Sequence, residues 1–237
     1  PSKRDLMMES IEIEQNILRE NVGSQDQVSA AQGGFNHIEF HPNGEITVHP
    51  VTITQSRLQD LNDHLMLFYT GILRTSSNVA KPFVEDIDSR KRQLRIMKDL
   101  VDESLSILGC SGDLDRFGDL LDEAWQTKRN LSASVSNPEV DQLYQRARQA
   151  GALGGKLTGA GGGGFMLLFV PPEHQARVRE ELSELIYVPF KFEYSGSQVI
   201  FFSQEQDYST EERYWDQREK PTFREMHAVV TRETPQA

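Results

Sequence analysis

The chain has 237 residues, 37% of them apolar, and a formal net charge of -11. That apolar share supports a packed core and excludes wholesale disorder, and the length suits one large domain or two small ones. The acidic balance argues against nucleic acid as the main partner but allows a nucleotide or sugar phosphate held by a local group of donors.

Residues 5 to 20 read as a helix, because Met7, Ile11 and Leu18 fall on one face. Glu14 lies on that same apolar stripe, an unusual place for a carboxylate. Asn21-Val22-Gly23 breaks this helix, and Ser24 is placed to cap a second one running through Ala31. From 35 to 80 the pattern is β-rich. Ile38 and Phe40 alternate with polar neighbours before the Pro42-Asn43-Gly44 turn, Ile46, Val48 and Val51 to Ile53 continue the strands, and Leu65 to Tyr69 reads as a buried strand. Helical spacing then takes over in Leu94, Met97, Val101, Leu105 and Leu108, and again in Leu114, Phe117, Leu121 and Trp125. Ser136-Asn137-Pro138-Glu139 opens a third helix with proline in its first turn. After Gly151 to Gly164 come an apolar strand, Phe165 to Val170, and a helix carrying Val178, Leu182 and Leu185. A closing strand pair is expected over Phe190 to Tyr194 and Gln198 to Phe202.

This order predicts an α+β sandwich, with a β-rich part over residues 1–82, a helix-and-strand domain over 83–203 and a flexible polar tail over 204–237 in which Trp215 is the one large anchor. Cys110 is the only cysteine, so an intrachain disulfide and a cysteine-built zinc site are excluded. His37, His41 and His49 show no metal-ligand spacing. With no apolar run of membrane-spanning length and no signal segment, a cytoplasmic protein without a membrane partner is expected.

The most informative stretch is Lys156-Leu157-Thr158-Gly159-Ala160-Gly161-Gly162-Gly163-Gly164-Phe165. It concentrates five of the chain's 17 glycines in ten residues. Bare amides in such a run can converge on an anion, and phosphate is the natural guest. The nucleotide-loop pattern GxxxxGK[ST] fails here, because Ala150 stands at its first glycine and Leu157 follows Lys156. A formal dinucleotide match over Gly159 to Gly164 also fails, since the run leads into a strand rather than a helix. The bland alternative is a hairpin that lets two strands approach. Four consecutive glycines beside Lys156 and Thr158 favour approach to a ligand.

This string resembles the third motif of the galactokinase, homoserine kinase, mevalonate kinase and phosphomevalonate kinase (GHMP) superfamily, most closely its heptose 7-phosphate kinases, over roughly residues 5 to 203. The resemblance implies an incomplete N-terminal β-rich catalytic domain followed by a ferredoxin-like C-terminal domain. It also implies ATP and Mg²⁺ as cofactors and a sugar phosphate as acceptor. Lys156, Thr158, Gly159, Ala160, Gly161, Gly162 and Gly163 would then lie against phosphates. In Asn21-Val22-Gly23-Ser24-Gln25-Asp26-Gln27, Asp26 takes the place of the family's catalytic base, although an aspartate in a first helical turn is commonly structural. Glu14 takes the place of a magnesium-binding glutamate, with Glu12 as the alternative. Arg74 is either a phosphate grip, with Ser76 and Ser77 beside it, or a solvated loop arginine. Lys128 and Arg129 suit a helix C-terminus even with no ligand, and a structural role is the leading reading there, with Lys128 a secondary candidate for the substrate phosphate.

The superfamily's first two motifs, including the loop that wraps the ATP phosphates, do not occur in these residues. A complete kinase is therefore expected to add roughly another hundred residues upstream, and a partner fragment or self-association is expected to cover the exposed edge. The competing readings are a non-catalytic remnant of such a kinase and a kinase for fucose or galactose.

Overall fold

The computed structural model describes residues 1–20, 22–72, 90–131, 135–159, 163–200 and 207–217. Two compact units divide the chain, Pro1–Gln198 and Val199–Ala237. In the second, helix α8 covers Ser209–Asp216, within the stretch expected to be a tail, and Trp215 is exposed with its ring edge-on to Tyr214. No helix among the described residues is long and apolar enough to cross a membrane.

The first unit opens with α1, Lys3–Glu12. Ser2 caps it reciprocally: its hydroxyl accepts from the Asp5 amide at 3.2 Å, and the Asp5 carboxylate accepts from the Ser2 amide at 2.7 Å. The single helix expected over 5 to 20 instead widens into a π-helical turn, Ile13–Ile17, and ends at Arg19, whose φ of 56° is left-handed. Helix α2, Gln25–Gln32, follows the break. Ser24 does hold the cap position, but its hydroxyl makes no cap bond and instead accepts from Gln15 Nε2 at 3.1 Å, tying the break shut. Met7, Val28 and Ala31 pack under the antiparallel hairpin of β1, Asn36–Phe40, and β2, Ile46–Pro50, against Ile38, Ile46 and Val48.

Where strands were expected to continue, Gln55–His64 forms helix α3, with the Thr54 hydroxyl accepting from the Arg57 amide. It runs directly into β3, Leu65–Tyr69. Three longer helices follow: α4, Lys91–Gly109; α5, Asp115–Arg129; and α6, Pro138–Ala150. Asn137 caps α6 by accepting from the Val140 amide at 2.9 Å, with Pro138 in the first turn as the sequence predicts. Then come β4, Gly154–Leu157; β5, Phe165–Phe169; α7, Gln175–Glu181; and β6, Ile186–Val188.

The four later strands form one antiparallel sheet in the order β4-β5-β3-β6. Strand, helices, two strands, helix, strand in that spatial order is the ferredoxin-like arrangement the family resemblance implied. Its inner face buries Met66, Phe68, Leu157, Met166 and Leu168 against Trp125 of α5, Val140, Tyr144 and Ala147 of α6, and Val178 of α7. Helix α5 crosses β4 so closely that a Cβ on Gly154 would lie 1.9 Å from the Gly118 carbonyl oxygen. Because β3 is an inner strand, this sheet begins at Leu65, on the N-terminal side of the boundary expected at 82/83, and that boundary itself lies outside the described residues.

Among the described residues, neither Phe190 to Tyr194 nor residues 198–200 form a strand, and Phe201 and Phe202 of the expected closing pair lie outside the described residues. Backbone groups of residues 192–197 are committed elsewhere. Gly34 donates to the Glu193 carbonyl, Ser197 donates to the Ala31 carbonyl, and the Glu193 carboxylate takes the amides of Ser195 and Gly196. Groups spent on α2 and on a local turn are not available to a ladder. The edge strand beside β3 is Ile186–Val188, immediately after Leu185, the last residue expected in the preceding helix.

Candidate active site

A cavity of about 760 Å³ opens between the π-turn, α2, α4, the C-terminal end of α5 and β4. Its lining joins segments far apart in sequence: Glu14 and Glu20, Ser24 to Gln27, Lys128, Lys156 and Gly159, with Leu94, Met97, Leu131 and Val135 as an apolar wall. Leu94 and Met97, which the helical spacing marks as core positions, are thus partly spent on this wall.

Each polar group arrives by an identifiable local device. The π-turn carries Glu14 onto the cavity. Gln27, buried at 8% exposure, donates its amide to Glu14 Oε2, while its own Oε1 is buried without a partner. Asp26 sits in the first turn of α2 and is exposed to the cavity. Lys128 comes from the last turn of α5, and its Nζ donates to the Gly159 carbonyl at 2.6 Å. Lys156 projects from β4. Burial is the main cause that holds Lys128 down to about 8; the nearby positive charge of Lys156 lowers it further and Asp26 opposes both. Lys156 is likewise held below the ordinary lysine range by burial, against the pull of Asp26.

The sequence-derived candidates divide on this geometry. Asp26, Glu14, Lys156 and Gly159 line the one cavity, so the glycine-rich stretch and the Asp26 segment do meet. Glu12, the alternative to Glu14, is exposed, accepts from Asn16 and is not among the lining residues. Thr158 and Gly163 are not on the cavity. Thr158 gives both its amide and its hydroxyl to the Phe165 carbonyl, at 2.9 and 3.3 Å, which closes the mouth of the β4–β5 pair. Gly163 is packed so tightly that a Cβ would stand 2.3 Å from the Ile72 carbonyl oxygen, and Gly164 is anchored by its amide to that same carbonyl at 2.9 Å. Ala160, Gly161, Gly162, Arg74, Ser76 and Ser77 lie outside the described residues.

Lys128 is the residue that sequence reasoning undervalued. Its last-turn position on α5 suffices to explain a cation there, and nothing in the local pattern reveals that this end points at the glycine-rich loop.

Chemically, the cavity gathers the exposed carboxylates of Asp26 and Glu20 with the two desolvated ammonium groups, and the Glu14 carboxylate is held in place by a buried amide. Such a set can bind an anion and accept a proton. A hard divalent cation also fits: Glu14 offers one oxygen donor, and the unpartnered Gln27 Oε1 can accept from a metal-bound water. Among the described residues no group of three or more His, Cys, Asp or Glu gathers, so a cation here would draw its other ligands from phosphate and water.

Residues 96–188 match the family of GHMP kinases C terminal. A D-glycero-α-D-manno-heptose 7-phosphate kinase of Campylobacter jejuni is 33% identical over 164 residues, covering 68% of this chain and 48% of that protein. A solved structure of a putative sugar kinase from Campylobacter jejuni superposes with a TM-score of 0.58 at 28% identity, covering 83% of this chain and 56% of the other. A structure of a D-glycero-D-manno-heptose 1-phosphate kinase from Bacteriodes thetaiotaomicron gives a TM-score of 0.61 at 24% identity, covering 84% and 56%. The chain spans less than half the length of the curated relatives it matches.

Proposed function

The chain carries the C-terminal domain of the GHMP kinases, and on that premise we propose that it works in ATP-dependent phosphorylation of a sugar phosphate, with heptose 7-phosphate as the leading acceptor. The observation that supports this reading is the meeting of Asp26 with Lys128, Lys156 and Gly159 on one cavity. The 33% identity to a heptose 7-phosphate kinase supports the choice of acceptor.

Phosphoryl transfer asks the protein for positioning and charge stabilisation more than for covalent chemistry. Asp26 would accept or orient the proton of the attacking hydroxyl. Lys128 and Lys156 would offset the negative charge carried by the transferring group and its oxygens, and they act more strongly for being drawn out of bulk water. Glu14, steadied by Gln27, would hold magnesium, which supplies charge neutralisation of the donor phosphates when bound. The apolar wall of Leu94, Met97, Leu131 and Val135 would narrow water access on one side. This reading puts the reaction in the cytoplasm, where ATP is supplied.

The loop that wraps ATP phosphates in this superfamily is not among the 237 residues. The test therefore measures ADP release by the chain and by the chain preceded by its upstream coding region, each offered heptose 7-phosphate, fucose and galactose. ADP release with heptose 7-phosphate in either form is the expected result. Release only in the longer form assigns this chain the acceptor side of a larger active site, and a preference for fucose or galactose changes the acceptor. No release from either form, with cooperative unfolding intact, removes the kinase reading and leaves a non-catalytic relative.

A further inference from the structure

Lys128 and Lys156 line one cavity; Lys128 feels the positive charge of Lys156, and both feel the negative charge of Asp26. Among the described residues neither has a carboxylate within ion-pair distance, although ion pairs form elsewhere, such as Arg129–Asp141 and Arg146–Glu181. The Lys156 residue pairs with Leu167 in the β4–β5 ladder, but its ammonium makes no hydrogen bond among the described residues. Two half-buried ammonium groups side by side repel one another and lose hydration, which is costly unless something negative joins them. The charges that face Lys128 are Lys156 on β4 and Asp26 on α2, with Glu14 and Glu20 on the same cavity. An ammonium has three donors and no acceptor. One donor of Lys128 is fixed on the Gly159 carbonyl at 2.6 Å, which both orients the side chain and ties down the first residue of the glycine run. Two donors are left over.

We propose that Lys128 is the second cation of a two-lysine anion site: it latches the glycine run through Gly159 and, with Lys156, holds a phosphate dianion of the bound ligand. The proposal rests on the phosphoryl-transfer reading for its choice of ligand, but its test needs no turnover. The same chemistry can come from the acceptor's own phosphate ester or from the nucleotide's phosphates, and the arms of the experiment separate them.

Sulfate serves as the first probe because it stays dianionic across the range in which lysine titrates. Its affinity for the wild-type chain is measured by calorimetry from about pH 7 to about pH 9.5. The Lys128 ammonium is charged below about 8 and loses its charge above it, so affinity is expected to fall as pH rises through that value. Lys128→Met is expected to lose about 10- to 100-fold in sulfate affinity, the range of a charge-assisted hydrogen bond, and to lose the pH dependence near neutrality. Lys128→Gln, which can still donate to Gly159 without a charge, is expected to lose affinity similarly. Heptose 7-phosphate and pyrophosphate are then compared on wild type and variants. Loss confined to the sugar phosphate assigns the site to the acceptor; loss confined to pyrophosphate assigns it to the nucleotide.

Unchanged affinity for all three probes in a folded Lys128→Met chain overturns the proposal. If neither variant folds, the wild-type profile decides: sulfate affinity that does not fall through about 8 overturns it, and so does the absence of sulfate binding. Anion binding that depends on Lys128 without any ADP release would leave this inference standing and remove the kinase reading. ADP release from a Lys128→Met protein with unchanged anion affinities would do the reverse.

Discussion

At the scale of single residues, the cavity is organised by charge. Asp26 is exposed while the two lysines facing it are drawn out of water. If Asp26 handles the proton of the attacking hydroxyl, Asp26→Asn should lower kcat by about 10²- to 10⁴-fold, the usual share of a general base, while the dissociation constant for ATP changes little. Steady-state ADP release together with calorimetric ATP binding checks this. An Asp26→Asn enzyme with unchanged kcat would assign the residue to the structure of α2. Asp26 and Lys156 were legible in the sequence because each stands in a segment whose own pattern is unusual: a glycine-marked helix break and a four-glycine run. Lys128 was legible only as a helix-end cation and a secondary phosphate candidate, because its meaning lies in a contact with Gly159, 31 positions away. Thr158 shows the opposite case. It stands inside the motif, yet its hydroxyl is used to join β4 to β5.

Among the elements, the decisive contact is that of α5 with β4, since these carry Lys128 and Lys156. Their spacing depends on the absence of side chains at Gly154, where an added Cβ would lie 1.9 Å from the Gly118 carbonyl oxygen, and at Gly118, where one would lie 2.7 Å from the Leu153 and Phe169 side chains. Gly154→Ala should therefore destabilise the unit by about 1–3 kcal/mol, the cost of overpacking a close contact, and should weaken sulfate binding by moving the two lysines apart. Urea unfolding and calorimetry test the pair of effects; an alanine variant as stable as wild type would contradict the close approach. The long amphipathic helices α4, α5 and α6 were readable from spacing because each turns a wide apolar stripe inward. Helix α3 was not, since it buries only Leu58 and Leu61 and passes into β3 with no turn residue between them. Phe190 to Tyr194 has the composition of a strand, but its neighbours bond to the end of α2, an interaction between segments about 160 residues apart that no local pattern records.

In the first unit as a whole, the ferredoxin-like sheet depends on a strand that precedes its helices. β3 pairs with β5 along Leu65 to Tyr69 and with β6 along Leu67 to Tyr69, so it joins the two halves of the sheet. Residues 83–198 expressed alone should then lack a cooperative unfolding transition, whereas residues 54–198, which restore α3 and β3, should recover one. Circular dichroism in urea distinguishes these results, and a cooperative transition in the shorter fragment would show that the sheet closes without β3. The overall α+β class was legible because the helix and strand periods are clear. The membership of β3 was not, because sequence order places it with the β-rich first part. The same sheet brings β4 beneath the end of α5, while the π-helical turn after α1 and helix α2 bring Glu14 and Asp26 to the cavity. The most direct test of the account is to titrate heptose 7-phosphate into isotopically labelled chain and follow its amide and lysine resonances by NMR. Saturable shifts centred on Asp26, Lys128, Lys156 and Gly159 are the predicted result; no saturable binding, or shifts centred away from this cavity, would contradict it.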